Sequence, residues 1–214
     1  MKKMNTKTMR TLIDVIRSAS PKRPLSYGES LSLARRQAGL IRQLLGATEP
    51  EFDTAWLIEQ KVAPVHHFAS YEVDPDVSGY TKAHGENGEL HINKTEPVVR
   101  QRFTLLHEFK HLLDARDEDT LHAYLGGGNK TTKAGQIESI CNEFAASVLM
   151  PLPILKDLWS KGTQETAQLA RIFNVSREAM NYRLVRLGFK ERKPWYRRYE
   201  LTDETEFSIS PCTA

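Results

Sequence analysis

Residues 103–112, FTLLHEFKHL, decide both the fold and the chemistry of this 214-residue chain. They carry the pattern H-E-x-x-H in a stretch that predicts a helix, so His107 and His111 lie one turn apart on the same face. Two imidazoles on one face can share a zinc ion at roughly 2.0–2.1 Å each. Glu108 is then placed to take a proton from a metal-activated water.

The residues around this pattern predict that the helix is buried on most sides. A bare H-E-x-x-H pattern also occurs in helices whose histidines are simply solvated. Burial argues against that alternative, because a buried His-Glu-His cluster carries a desolvation cost that metal coordination offsets. The apolar neighbours are Phe103, Leu105, Leu106, Phe109, Leu112 and Leu113.

The composition indicates an ordinary globular protein in a reducing compartment. Hydrophobic residues make up 40%, and the net charge of +3 gives no strong case for nucleic acid or an acidic membrane. The two cysteines, Cys141 and Cys212, do not indicate a disulfide scaffold. The longest apolar stretch, 144–155, is too short to span a bilayer, and no secretory signal is evident. We therefore expect a cytoplasmic protein.

The periodicity predicts a mostly helical α+β fold with a small antiparallel sheet of about three strands packed on the H-E-x-x-H helix. Asn87-Gly88 is typical turn chemistry and predicts a β-hairpin. Predicted helices cover 5–18, 31–45, 52–60, 97–114, 135–149 and 153–160, with two more in 163–189, and predicted strands cover 62–69, 77–83 and 89–94. The expected division is an N-terminal extension (1–30), a metal-binding domain (31–155), a C-terminal helical region (156–190) and a basic, then acidic tail (191–214).

A third protein ligand is needed if zinc is to keep one position open for water. Asp117 would extend the motif in the metzincin manner, but Asp114 stands where that motif needs its turn-making Gly. His122 lies near a loop. Glu138 is the third candidate, although a glutamate in a first helical turn is also favoured by the helix dipole.

The helix predicted at 135–149 places Glu138 and Asn142 on one face, together with Ala145 and Leu149. The small Ala145 allows a second helix to approach closely. Glu138 could then reach the metal, and Asn142 could orient a ligand imidazole.

The two helices together resemble the ImmA/IrrE family of metallo-endopeptidases. The resemblance covers roughly residues 35–155, and the hairpin that ends at Leu90–Asn93 shares it. It rests on three motifs: Arg102–His111, Glu138-x-x-Cys141-Asn142-x-Phe144-Ala145, and Leu149-Met150-Pro151. The chain departs from the family pattern at Lys110, where an uncharged residue is usual, and at Cys141, where Ala is common.

The resemblance implies a single zinc ion held by His107, His111 and Glu138, with Glu108 as catalytic base. It also implies a site-specific cut in a regulatory protein, a helix-turn-helix transcriptional repressor often encoded beside the peptidase on a mobile element. For stabilising the oxyanion, the candidates are Tyr124 and His122. The predicted strand Leu90-His91-Ile92-Asn93 could pair with an extended substrate, or could simply cover the core.

The C-terminal stretch 167–184 has helix-turn-helix character. Asn174 suits the left-handed turn, and Ser176 suits the cap of the second helix. If the pair binds DNA, Arg177, Asn181 and Arg183 would face it. The other interpretation is a packing unit. The alternative function is therefore a non-proteolytic regulator that binds a repressor or DNA through these helices.

Overall fold

The computed structural model describes residues 13–59, 63–69, 77–84, 87–128 and 130–191. Residues 5–12 of the first predicted helix, Cys212 and the tail from 192 lie outside these ranges, whereas residues 13–18 are helical. The helices are α1 (Tyr27–Leu44), α2 (Ala55–Glu59), α3 (Val98–Asp114), α4 (Glu118–Leu121), α5 (Lys130–Leu149), α6 (Leu152–Ser160), α7 (Thr166–Phe173) and α8 (Arg177–Arg186). The strands are β1 (Val65–Phe68), β2 (Gly79–His84) and β3 (Asn87–Asn93). The prediction of an α+β fold is confirmed.

Helix α3 is the H-E-x-x-H helix, and it is buried on most sides, as the sequence predicts. Leu106 and Phe109 are inaccessible to solvent, and so is Lys110. The Lys110 ammonium lies 2.5 Å from the Asp114 carboxylate and donates a hydrogen bond to Gln37 Oε1 at 2.9 Å. This buried charge is therefore paired within the helix.

Helix α5 packs between α1 and α3 and is longer than predicted, starting at Lys130 rather than near 135. Its buried face includes Phe144, Ala145 and Val148. Ala145, the small residue expected at the contact between helices, is completely buried. Helix α1 also starts earlier than predicted, because Ser26 and Glu29 form a reciprocal capping box at its first turn.

A buried ionic cluster ties α5 to α1 and α8. The Glu143 carboxylate lies 2.9 Å from Arg35 of α1, 2.9 Å from Arg183 and 2.7 Å from Arg186 of α8. Burial would raise the pKa of Glu143, but the hydrogen bond from Arg35 and the charge of Arg183 outweigh it and lower that pKa. The ionised Glu143 therefore joins three helices.

The sheet is mixed, so the prediction of an antiparallel sheet is wrong. Its strand order is β1-β3-β2; β2 pairs antiparallel with β3, but β1 runs parallel to β3. Strand β2 pairs with one edge of β3, and β1 pairs with the other edge. The direction in which it arrives there depends on the path of the chain between the strands, which local sequence patterns do not report.

The hairpin turn is also shorter than predicted. The register pairs His84 with Asn87, so β2 and β3 join across residues 85–86, which lie outside the described ranges. Asn87 and Gly88 belong to β3 and do not form the turn. A Cβ on Gly88 would lie 2.5 Å from Leu112 Cδ1 of α3, so this glycine permits close packing of the sheet on the helix.

The C-terminal helices α7 and α8 share one hydrophobic cluster with α3 and α5. Asn174 adopts the left-handed conformation (φ 50°) between them, and Ser176 caps α8, as predicted. Arg102 of α3 hydrogen-bonds the Asn174 carbonyl, which ties this turn to the core. The predicted boundary at 155/156 therefore does not separate two hydrophobic cores.

One of the three residues predicted to face DNA is buried. Arg183 is 2% exposed and is held by Glu143 and by the Met150 carbonyl. The expectation that Arg183 faces DNA is wrong, because its guanidinium satisfies the buried carboxylate. Arg177 and Asn181 are exposed.

Among the described helices, none combines the length with the apolar content that a membrane crossing requires.

Candidate metal centre

The two histidines of α3 converge on one point. Their Nε2 atoms lie 3.2 Å apart, because residues at i and i+4 share a helical face. Ligand atoms at 2.0–2.1 Å from a tetrahedral zinc ion are separated by about 3.3 Å. The spacing of His107 and His111 therefore fits two corners of such a site.

Glu138 of α5 supplies a third group at the same point. Its carboxylate oxygens lie 3.1 Å from His107 Nε2 and 3.3 Å from His111 Nε2. Hydrogen bonds from His107 and then His111 hold the pKa of Glu138 well below its ordinary value. The three groups expected to bind metal are thus brought together, with the carboxyl group ionised.

The site favours a positive charge. Burial lowers the pKa of His111, but hydrogen bonds with Cys141 and Glu138 outweigh it and raise this pKa to about 11. The negative electrostatic potential that stabilises a proton between these groups would also stabilise a divalent ion at the same place. The donor set of two imidazoles and one carboxylate is one that zinc accepts, with a fourth position left for water. The residues therefore fit the ion.

Cys141 is a second candidate for the third metal ligand, and the spacing of residues in the sequence did not indicate it. Its sulfur lies within 4.8 Å of the ligand atoms of both histidines. It is nonetheless buried, and burial raises the pKa of the thiol, which opposes the thiolate that binds metal. Glu138 is the better candidate, because its carboxyl group is ionised and its oxygens lie 3.1 and 3.3 Å from the two Nε2 atoms.

Asn142 orients the first histidine. Its Oδ1 lies 2.9 Å from His107 Nδ1, which fixes Nδ1 as a donor and leaves Nε2 as the ring nitrogen that faces Glu138 and His111. Asn142 is one turn beyond Glu138 on α5, as its predicted role requires.

Glu108 is held by a residue that the sequence did not indicate. Its side chain is buried, and Thr81 Oγ1 of β2 lies 2.7 Å from Glu108 Oε2 and 2.9 Å from the Glu108 carbonyl oxygen. This hydroxyl restricts the rotation of the carboxylate. No sequence spacing could reveal it, since the contact depends on how the hairpin packs on α3.

A cavity of about 380 Å³ opens beside the candidate ligands. It lies between the start of β2, helix α3 and helix α5. A Cβ on Gly79 would come within 2.5 Å of Thr104 Cγ2, so the glycine lets β2 run directly along this wall. The lining residues are Ser78, Gly79, Arg100, Phe103, Thr104, His107, Glu108, Glu138 and Asn142.

Strand β3 does not have the open edge that its predicted substrate role needs. It pairs with β1 on one side and β2 on the other, so the expectation that Leu90, His91, Ile92 and Asn93 bind a substrate backbone is wrong. Strand β2 lies at the edge of the described sheet, and its first residue, Gly79, lines the cavity together with the preceding Ser78.

The two candidate oxyanion donors are not brought to the cavity. His122 is 2% exposed, and its Nε2 lies 3.4 Å from Asp114 Oδ2, at the far end of α3. His122 therefore belongs to the buried Lys110–Asp114 network, and its predicted role is wrong. Tyr124 is 73% exposed and does not line the cavity.

Comparison with known proteins gives matches over this same region. Residues 66–185 match the family described as the IrrE N-terminal-like domain, Peptidase_M78. The chain is 31% identical over 102 residues to the radiation response metalloprotease IrrE of Deinococcus radiodurans. It is 34% identical over 102 residues to the protein of the same name from Deinococcus deserti. Each alignment covers 46% of this chain, and 31% and 36% of the respective relatives, so the chain spans about a third of their length.

Proposed function

Because the chain belongs to the Peptidase_M78 family of metallopeptidases, whose IrrE N-terminal-like domain matches more than half of it, we propose that it is a zinc-dependent endopeptidase. The observation that carries this proposal is the convergence of His107, His111 and Glu138 beside a cavity that Glu108 also lines.

His107, His111 and Glu138 would hold the ion. Zinc in such a site supplies a Lewis acid that polarises a carbonyl and makes a coordinated water acidic near neutral pH. Asn142 keeps His107 in the tautomer whose Nε2 is free to bind.

Glu108 is the general base. It takes a proton from the attacking water and then delivers it to the leaving amine of the cut peptide bond. Thr81 holds the Glu108 carboxylate at 2.7 Å, which limits the orientations from which the transfer can occur. Thr81 is therefore a positioning residue, since it acts through Glu108.

The substrate is a protein segment in extended conformation. Strand β2 supports this, because it lies at the edge of the described sheet and its start lines the cavity. A substrate backbone added along an edge strand gains main-chain hydrogen bonds. We propose a helix-turn-helix repressor as the substrate, on the basis of the family resemblance.

The alternative, a regulator that binds DNA without cutting anything, has less support. Arg183 is buried against Glu143, and the turn between α7 and α8 is anchored by Arg102. These contacts favour a packing role for the two helices. A base such as Glu108 beside three candidate ligands has no use in a pure binding module.

The test is to incubate the full chain with the repressor encoded beside it and to measure fragment masses. We expect one cut that is lost on chelation and restored by zinc. An intact repressor under zinc, together with a shift of promoter DNA by the chain alone, would favour the alternative function.

A further inference from the structure

A second cluster of metal-binding side chains lies on the sheet. His66 of β1 pairs in register with His91 of β3, and Glu89 precedes His91 by two residues, so the three share one face. Their ligand atoms all lie within 4.8 Å of one another. The alternate residues Leu90 and Ile92 are buried in the hydrophobic core, so the cluster lies on the opposite face of the sheet.

The spacing within this cluster is close to that of a metal site. Glu89 Oε2 lies 3.3 Å from His91 Nε2 and 3.7 Å from His66 Nε2. Neighbouring corners of a tetrahedral zinc site are about 3.3 Å apart. The two rings stack at 4.9 Å and 22°, and the His66 side chain is 51% exposed, so it can turn toward a shared ion.

The surroundings of His91, the residue between His66 and Tyr80 in the stack of rings, hold its side chain in place. Burial lowers the pKa of His91, with smaller contributions from the charges of Lys82 and His66, and the hydrogen bond with Glu89 only partly offsets them. Tyr80 stacks on the other face of His91 at 4.4 Å and holds the ring in place. Glu89 supplies the negative charge, and Lys82 is the opposing cation.

We propose that His66, Glu89 and His91 form a second metal site, which binds a divalent ion of the Zn²⁺, Ni²⁺ and Cu²⁺ class. Two imidazoles and one carboxylate select these ions over Ca²⁺ and Mg²⁺, which prefer oxygen ligands. The site joins β1 to β3, so a bound ion fastens β1 to the sheet and stabilises the folded chain by mass action. The chain then binds two ions, whereas its family resemblance implies one.

Copper titration in a chain without the helix site tests this proposal. The protein is the full-length, untagged His107→Ala/His111→Ala variant, stripped with a chelator, so that neither α3 nor an added tag competes. We expect one equivalent of Cu²⁺, with nitrogen hyperfine structure from two imidazoles in its electron paramagnetic resonance spectrum. Adding His66→Ala or His91→Ala should remove that equivalent.

His67 provides the matched control, because it is exposed on the same strand but is not part of the cluster. The His67→Ala change should leave the copper equivalent in place. The proposal is overturned if the starting variant binds no copper, or if His67→Ala and His66→Ala lower binding equally.

Zinc dialysis of the otherwise unaltered chain covers the case in which the double variant does not fold. We expect two equivalents, and one after His66→Ala. If the chain binds one equivalent and His66→Ala leaves it in place, the sheet site is contradicted. If it binds one equivalent that His66→Ala removes and Glu138→Ala does not, the helix site is contradicted. Failure of this inference is thus distinct from failure of the proposed peptidase function.

Discussion

Two clusters in this chain have the same composition, two histidines and one glutamate, but different surroundings. The helix cluster, His107, His111 and Glu138, lies beside a cavity of about 380 Å³. The sheet cluster, His66, Glu89 and His91, lies on the outer face of a three-stranded sheet.

The difference lies in the groups around the ligands. In the helix cluster, Asn142 fixes a ring and the buried Glu108 is held by Thr81 next to the cavity. In the sheet cluster, Tyr80 stacks on His91. The identity of the ligands therefore predicts metal binding at both clusters. In the described part of the chain, only the helix cluster has a carboxylate, Glu108, and a cavity beside its ligands, and these indicate where hydrolysis could occur.

Glu108→Gln should have the largest effect on activity. Removing the base should lower kcat by roughly 10²–10⁴-fold, while the zinc content stays the same because no ligand is lost. Cleavage kinetics and elemental analysis of the same preparation give the two values. Unchanged cleavage would show that Glu108 is not the base, and the helix cluster would then no longer differ from the sheet cluster in its catalytic groups.

Glu138→Ala and Cys141→Ala separate the two possible third ligands of the helix cluster. Loss of Glu138 should weaken zinc binding by more than the roughly 10–100-fold typical of a residue that only orients a ligand. Loss of Cys141 should leave zinc affinity within a few-fold, since its thiol is buried and its pKa is raised. Competition with a chromogenic chelator measures both. The assignment is wrong if the two variants behave in the opposite way.

Asn142→Ala should have an intermediate effect. Without its oxygen, His107 can rotate and change tautomer, so we expect zinc affinity to fall by roughly 10–100-fold. The same chelator competition applies. Asn142→Asp retains an acceptor and should recover most of the loss; equal weakening in both variants would argue against the orienting role.

Among the variants expected to lose function, Thr81→Val should have the smallest effect. It keeps the side-chain shape but removes the hydroxyl near Glu108, and a hydrogen bond to a charged group of this kind corresponds to roughly a tenfold change. We expect kcat to fall while KM and zinc content stay constant. Thr81→Ser should restore the rate. A parallel rise in KM, or no rescue by serine, would indicate a merely structural role.

The helix-borne part of the site could be predicted because its geometry is local. The i, i+4 spacing of His107 and His111 determines that their side chains meet, and one helical face relates Glu138 to Asn142. Thr81 was missed because its contact depends on how the hairpin lies on α3. The position of His122 could not be predicted either, because its contact with Asp114 depends on tertiary packing.

The sheet was harder to predict for a related reason. Asn87-Gly88 has turn composition, but Gly88 lies where a Cβ would come within 2.7 Å of the Lys82 carbonyl oxygen and 2.5 Å of Leu112 Cδ1. The parallel direction of β1 follows from the chain path and has no local signature. In the C-terminal region, periodicity identified α7 and α8 correctly, yet it could not show that Arg183 points to a buried Glu143.

Anomalous X-ray scattering at the zinc edge, from crystals of the chain loaded with one equivalent of zinc, tests the central claim most directly. The account predicts a peak about 2.0–2.1 Å from the Nε2 atoms of His107 and His111, with a Glu138 oxygen as the third protein ligand. A peak bound by the Cys141 sulfur at about 2.3 Å, or no peak between these two histidines, would contradict it.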